Sequence, residues 1–198
     1  MSNKDRVCIE LFHRDQYSLG EENRQKYGWA TYHWAILVRP KVVRRESKCT
    51  SYDVTDAAVM TEDGTGYRPA DGTWRFRSRV PVYPLTSSSF LVAIDIGKLP
   101  KNVTSAQVRA VLERTTVPRS GQDPEQNCVS WTRDAILDLQ RVGFADGALS
   151  VEDIMTVGMQ RADIVMRDGA PEKPEDRFID VGVVSREIAA MKAAQKKK

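Results

Sequence analysis

A cysteine, a histidine and an aspartate stand in this chain where thiol chemistry would use them: Cys128, His33 and Asp53. Cys128 follows a run with little helix-forming character, Pro118-Arg119-Ser120-Gly121-Gln122-Asp123-Pro124, and belongs to Asn127-Cys128-Val129-Ser130-Trp131, the start of an amphipathic helix. A thiol at a helix N-terminus meets the positive end of the macrodipole and unsatisfied backbone N–H groups, and both favour the thiolate. Cys128, Trp131, Ala135, Leu139 and Val142 follow spacings of three and four and make one apolar stripe. Arg133, Asp134, Asp138 and Arg141 fall largely on the other side, so Cys128 faces inward at the first turn.

A thiolate-prone sulfur becomes a nucleophile when an imidazole lies within hydrogen-bond reach and an acceptor fixes that imidazole. The chain holds two histidines, His13 and His33. His13 follows the first strand in polar sequence and is expected to be exposed. His33 lies in Ala30-Thr31-Tyr32-His33-Trp34-Ala35-Ile36-Leu37-Val38, closed by Pro40, the strongest strand signal in the chain. Alternation puts His33 on one face with Ala35 and Leu37, and Trp34, Ile36 and Val38 on the other. The small Ala35 would let a helix end approach the ring. Asp53 lies in the return strand, Cys49 to Thr55; if the hairpin turns near Val43, residues 33 and 53 stand opposite, within about 5 Å at Cβ. Backbone N–H groups around Cys128 would then form an oxyanion hole.

Each residue also has an ordinary role open to it. Free cysteine is commonly buried as a small apolar residue. A lone strand histidine is often packed, and Asp53 fits an outward polar position. Trp29, Tyr32, Trp34 and Trp131 could line a pocket beside Asn127, or fill the core.

The elements that must position these residues change type midway. Strands are expected at 6–12, 30–38, 49–55, 74–80 and 90–96, with Pro81 and Pro84 separating the last two. The polar stretch 14–26 reads as a loop or short exposed helix, and the glycine-rich stretch 61–73 as a loop. Helices follow at 104–112, at 128–142 ending before Gly143, and from Ser150, whose first turn holds Glu152 and Asp153 and whose apolar positions include Ile154, Val157 and Ile164. An apolar run, 178–184, precedes a last helix from Ser185 into the lysine tail. Strands first and helices second give an α+β order, without regular βαβ alternation.

Composition narrows the classes. The 198 residues are 41% hydrophobic and 29% charged, which suits one globular domain with its own core. The net charge of +3 is matched by the three terminal lysines 196–198, so a nucleic-acid surface is not expected. No apolar run approaches 18 residues, so no membrane span or secretory leader is expected. Three cysteines without paired spacing point to reduced thiols and a cytoplasmic setting. Metal-ligand spacings and phosphate-cradling loops are absent, so no cofactor is expected.

The ordered pair Tyr32-His33-Trp34-Ala35-Ile36-Leu37-Val38 and Asn127-Cys128-Val129-Ser130-Trp131 resembles the circularly permuted branch of the NlpC/P60, papain-like superfamily. Lecithin:retinol acyltransferase-like proteins of that branch carry an H-W-A-I-Y-V strand and, later, an N-C-E-H-F segment opening a helix. Fungal proteins with an H-W-A-L-L-V-type strand and an N-C-V-S-W segment are closer still. The resemblance covers roughly residues 30–142. It implies a papain-like antiparallel sheet packed against helices, with His33 and Cys128 as catalytic pair and Asp53 in the third place, where those proteins usually have histidine.

On residues and resemblance together, the expectation is a single catalytic domain over 1–184, followed by a C-terminal helix and basic tail over 185–198. The expected activity is that of a cysteine hydrolase or acyltransferase. It would cleave an amide, ester or thioester of a small-molecule, acyl or peptide substrate through an acyl-enzyme. The alternative is a non-catalytic papain-like domain that binds a peptide or small molecule, and an interaction protein acting through the C-terminal helix is a further one.

Overall fold

β-Branched and aromatic residues concentrate in the first half of the chain, and there they form strands. The computed structural model describes residues 4–61, 63, 65–68, 73–122 and 125–195. Strand β1 covers Arg6–Phe12, followed by helix α1 (Gly20–Tyr27) and strands β2 (His33–Arg39), β3 (Cys49–Thr55), β4 (Val59–Met60), β5 (Tyr67–Arg68), β6 (Arg75–Val82) and β7 (Phe90–Lys98). Helices α2 (Ser105–Leu112), α3 (Cys128–Arg141) and α4 (Val151–Asp168), the short strand β8 (Phe178–Ile179) and helix α5 (Val181–Gln195) follow. The α+β order read from the sequence is the observed one. Six strands form one sheet in the order β6-β3-β2-β1-β7-β8. Every pair in it is antiparallel except β7 with β8.

Alternation sorts the two faces of this sheet. Val7, Ile9 and Leu11 of β1, Trp34, Ile36 and Val38 of β2, and Tyr52 and Val54 of β3 pack against the helices, where Trp131, Ala135 and Leu139 of α3 and Ile154 and Val157 of α4 complete the main core. Burying side chains of this size contributes about 1.5–3 kcal/mol each. Helix α4 approaches the sheet closely at one glycine: a Cβ on Gly158 would stand 2.9 Å from Ile9 Cδ1 and 3.1 Å from Trp34 Cζ3. The opposite face carries a smaller apolar cluster of Cys8, Phe12, Ala35, Leu37, Cys49, Phe90 and Ala93. Among these lie the buried polar residues Glu10, Arg39, Ser51, Asp53 and Asp95.

Several boundaries differ from the sequence reading. Strand β2 begins at His33 and not at residue 30, because Gly28–Thr31 close a 3-10 turn, and the Trp34 indole N–H donates to the Trp29 carbonyl at 2.7 Å. The stretch 14–26 folds into a 3-10 turn at Asp15–Ser18 and then α1. The last helix starts at Val181, inside the run expected to precede it, and it docks: Val184 and Ile188 belong to the main core. Within 61–73, Tyr67–Arg68 pairs with Val59–Met60, while residues 62, 64 and 69–72 of that loop lie outside the described residues, as do 123–124 and the lysine tail 196–198. Val142 and Ile164, read as members of apolar stripes, are 49% and 39% exposed.

Candidate active site

The N-terminus of α3 is built by its cap. The Asn127 side-chain oxygen accepts from the Val129 N–H at 2.8 Å, and the Ser130 hydroxyl accepts from the Asn127 N–H at 3.0 Å. This reciprocal pairing is a capping box in which serine takes the place usual for glutamate. It holds Cys128 as the first helical residue, where the helix itself offers its N–H no acceptor. Cys128 is 2% exposed and lies at the floor of a cleft of about 320 Å³ walled by Arg14, Tyr17, Thr55, Asp56, Trp74 and Arg77. His33 shares that cleft.

His33 is the first residue of β2, so its ring projects at the end of the sheet. Its Nε2 lies 2.8 Å from Asp53 Oδ2, which leaves Nδ1 for the thiol. Asp53 is fully buried and also takes both arms of Arg77, Nε to Oδ1 at 2.9 Å and Nη2 to Oδ2 at 2.5 Å. The two strands do not meet in the register expected. Ile36 faces Tyr52 and Leu37 faces Ser51, so the turn is displaced and Asp53 lies diagonal to His33, not opposite. The displacement is by two residues, an even number, and keeps both side chains on one face.

A second expectation is corrected more deeply. The helices cover the Trp34 face, not the His33 face; Cys128 belongs to the helix-side core, while His33 shares its face with Phe12 and Ala35. Sulfur and ring meet around the end of β2, where the first turn of α3 reaches past the strand.

The electrostatics follow from these contacts. Burial alone pushes the Cys128 thiol up, but the hydrogen bond and charge of His33, the backbone N–H of Trp34 and the charge of Arg14 bring it below its ordinary value. Burial disfavours a charged His33, yet hydrogen bonds with Asp53 and Cys128 raise its pKa to about 9. Burial would also raise Asp53, but Arg77 and His33 hold it well below the usual carboxylate range. These contacts bias the pair toward thiolate and imidazolium, with an ionised carboxylate behind it. The other cysteines behave oppositely. Burial and then the neighbouring Asp95 push Cys8 well up, and burial and then Glu10 push Cys49 to about 12.

The remaining candidates separate cleanly. His13 is half-buried and its backbone N–H donates to the Ser89 carbonyl at 2.8 Å; it does not line the cleft. Tyr32, Trp34 and Trp131 are each at most 2% exposed and fill the core, and Asn127 is the helix cap. The aromatic residues at the cleft are Tyr17 and Trp74. Arg77 was missed in the sequence, although its signal is there: Arg75, Arg77 and Arg79 alternate along β6, and Arg77 pairs directly with Asp53. Glu10 was missed as well. It is fully buried beneath Ser51, to which it is hydrogen bonded, and Ser51 accepts from Arg79 at 2.9 Å.

Among the described residues no cluster of three or more His, Cys, Asp or Glu side chains is placed to hold a metal ion, and no helix is long and apolar enough to cross a membrane. No curated protein and no solved structure matches the chain significantly. A family profile matches residues 4–168, which hold β1 to β7, the cleft residues and α4, and the chain therefore belongs to DUF6914, a family of unknown function.

Proposed function

We propose that the protein is a thiol enzyme acting on acyl bonds, with Cys128 as nucleophile, His33 as acid and base, and Asp53 as the group that orients and charges His33. One observation carries this reading. Of three buried cysteines, only Cys128 has its thiol lowered, and it is the one joined to an imidazole that is itself held by a buried carboxylate.

The Cys128 thiolate attacks the acyl carbon, forming a C–S bond while the carbonyl electron pair moves onto oxygen. The Cys128 N–H, at the helix N-terminus, is placed to stabilise that oxyanion. Collapse breaks the acyl bond to nitrogen, oxygen or sulfur, and the departing group takes a proton from the His33 imidazolium to leave as amine, alcohol or thiol. Neutral His33 then removes a proton from water, the hydroxide attacks the thioester, and the thiolate leaves against a reprotonated ring. The exposed Asp15, Gln16 and Asp56 at the cleft admit water, which supports hydrolysis over transfer.

The order of a histidine strand before a cysteine helix, both delivering to one cleft, supports kinship with the permuted NlpC/P60 branch. Three unpaired cysteines support a reducing compartment such as the cytoplasm. The deciding experiment is alkylation by iodoacetamide across pH, with the labelled peptide mapped. Cys128 should react with a midpoint below that of a free thiol, and His33→Ala should remove the advantage where His13→Ala does not. A Cys128 no faster than an ordinary thiol would leave the non-catalytic binding domain as the better reading.

A further inference from the structure

The catalytic cleft does not stand alone. Trp74, half-buried just ahead of β6, is also a wall of a second depression, of about 520 Å³, whose other side is the loop Thr116–Ser120. Trp74 therefore joins this groove to the cleft that holds Cys128. Pro118 is buried and Val117 half-buried, so with Trp74 they make a short apolar strip, while the exposed Thr116, Arg119 and Ser120 keep the rim polar. Across Trp74 the cleft is lined by Arg14, Gln16, Thr55 and Asp56.

From this continuity we infer that the groove between Trp74 and Thr116–Ser120 is a second substrate subsite, holding the part of an extended polypeptide segment that lies on one side of the scissile bond. The inference rests on the thiol-enzyme reading. The lining selects the occupant. A peptide offers one side chain to the Trp74–Val117–Pro118 strip and a polar backbone to the rim. A long hydrocarbon would face the charged and hydroxyl groups of both depressions for most of its length. A substrate confined to the cleft would have no use for the groove, whereas a segment of several residues must leave the cleft, and Trp74 is the wall it shares with the groove.

The test uses peptidyl ketones that trap Cys128, carrying four alanines on one side of the ketone, on the other, or on neither, and a ketone bearing a dodecyl chain. The reading is the ratio of long- to short-probe labelling rates, for the wild-type protein and for Trp74→Ala and Val117→Glu, with thermal melts confirming that the variants fold. One of the two tetra-alanine probes should label at least tenfold faster than the short one, and either substitution should bring that ratio near one. Equal rates for all peptidyl probes, an undiminished ratio in both variants, or fastest labelling by the dodecyl probe would overturn the subsite. Iodoacetamide keeps the two readings apart. A Cys128 that resists it removes the enzyme and the subsite together, while a Cys128 that accepts it but ignores probe length removes the subsite alone.

Discussion

The Asp53 carboxylate reaches His33 Nε2 at 2.8 Å across a diagonal of the β2–β3 pair, while Arg77 stands directly opposite Asp53 on β6 and grips it with both arms. The carboxylate therefore takes hydrogen bonds from two side chains at once, with the Arg79 guanidinium a further charge at 3.9 Å. Arg77 fixes it in place and keeps it ionised, and the remaining capacity of its oxygens is turned on the imidazole.

Asp53→Asn retains the shape but removes the charge. His33 should lose most of its upward shift, and the Cys128 thiol should rise with it. We expect alkylation of Cys128 near neutral pH to slow by about tenfold, the effect of one pKa unit. Arg77→Gln should give a smaller loss in the same direction, and an unchanged alkylation midpoint in both variants would remove the relay.

The pH profile of turnover should be bell-shaped. It rises through the lowered thiol pKa and falls through about 9, as His33 gives up the proton the leaving group needs. Stability follows separately. His33 is raised, so its contribution is complete below its ordinary value of about 6.5 and is lost as pH climbs through about 9. Asp53 is lowered, so its contribution is complete above about 4 and is lost in acid as pH falls toward its folded value. Melting temperatures of wild type and His33→Gln should converge above pH 9.

Glu10 makes an independent prediction. Burial, only partly offset by Ser51 and Arg79, raises its carboxyl to about 7. A raised carboxyl contributes fully below its unfolded value and costs stability as pH rises through the folded one. Glu10→Gln should therefore gain on wild type by about 3 kcal/mol between pH 4 and pH 8.5. Denaturant midpoints at the two pH values read this difference, and parallel curves would refute it.

Gly158→Val tests the contact between α4 and the sheet. Its Cβ would meet Ile9 at 2.9 Å and the Trp34 ring at 3.1 Å. Ile9 has a flexible end, but Trp34 is buried and tethered through its indole N–H, so the helix must shift. We expect a loss of about 3 kcal/mol by chemical denaturation.

Much of this site is legible in the sequence. Short-range signals carried it: the alternation of β2, the polar cap Asn127, and the inward stripe Cys128, Trp131, Ala135, Leu139. Long-range pairings were the hidden part. Which face of the sheet the helices cover depends on the summed burial of several strands, and His33 with Ala35 does not reveal it. The same holds for Arg77, whose partner is set by β3–β6 pairing, and for Glu10, an ordinary strand residue until β1 is placed at the centre of the sheet. Tyr32, Trp34 and Trp131 were ambiguous because core and pocket aromatics look alike in sequence.

The sulfur and the ring come from opposite surfaces of one sheet and touch only around its margin. That margin is held by two small devices, the Asn127–Ser130 cap and the opening residue of β2. Opening that cap, or fraying the first residue of β2, parts them while most of the sheet and its helices stay packed. Loss of reactivity on heating should thus run ahead of the loss of secondary structure, and the cysteine's chemistry becomes a local thermometer for a junction that bulk spectroscopy cannot resolve.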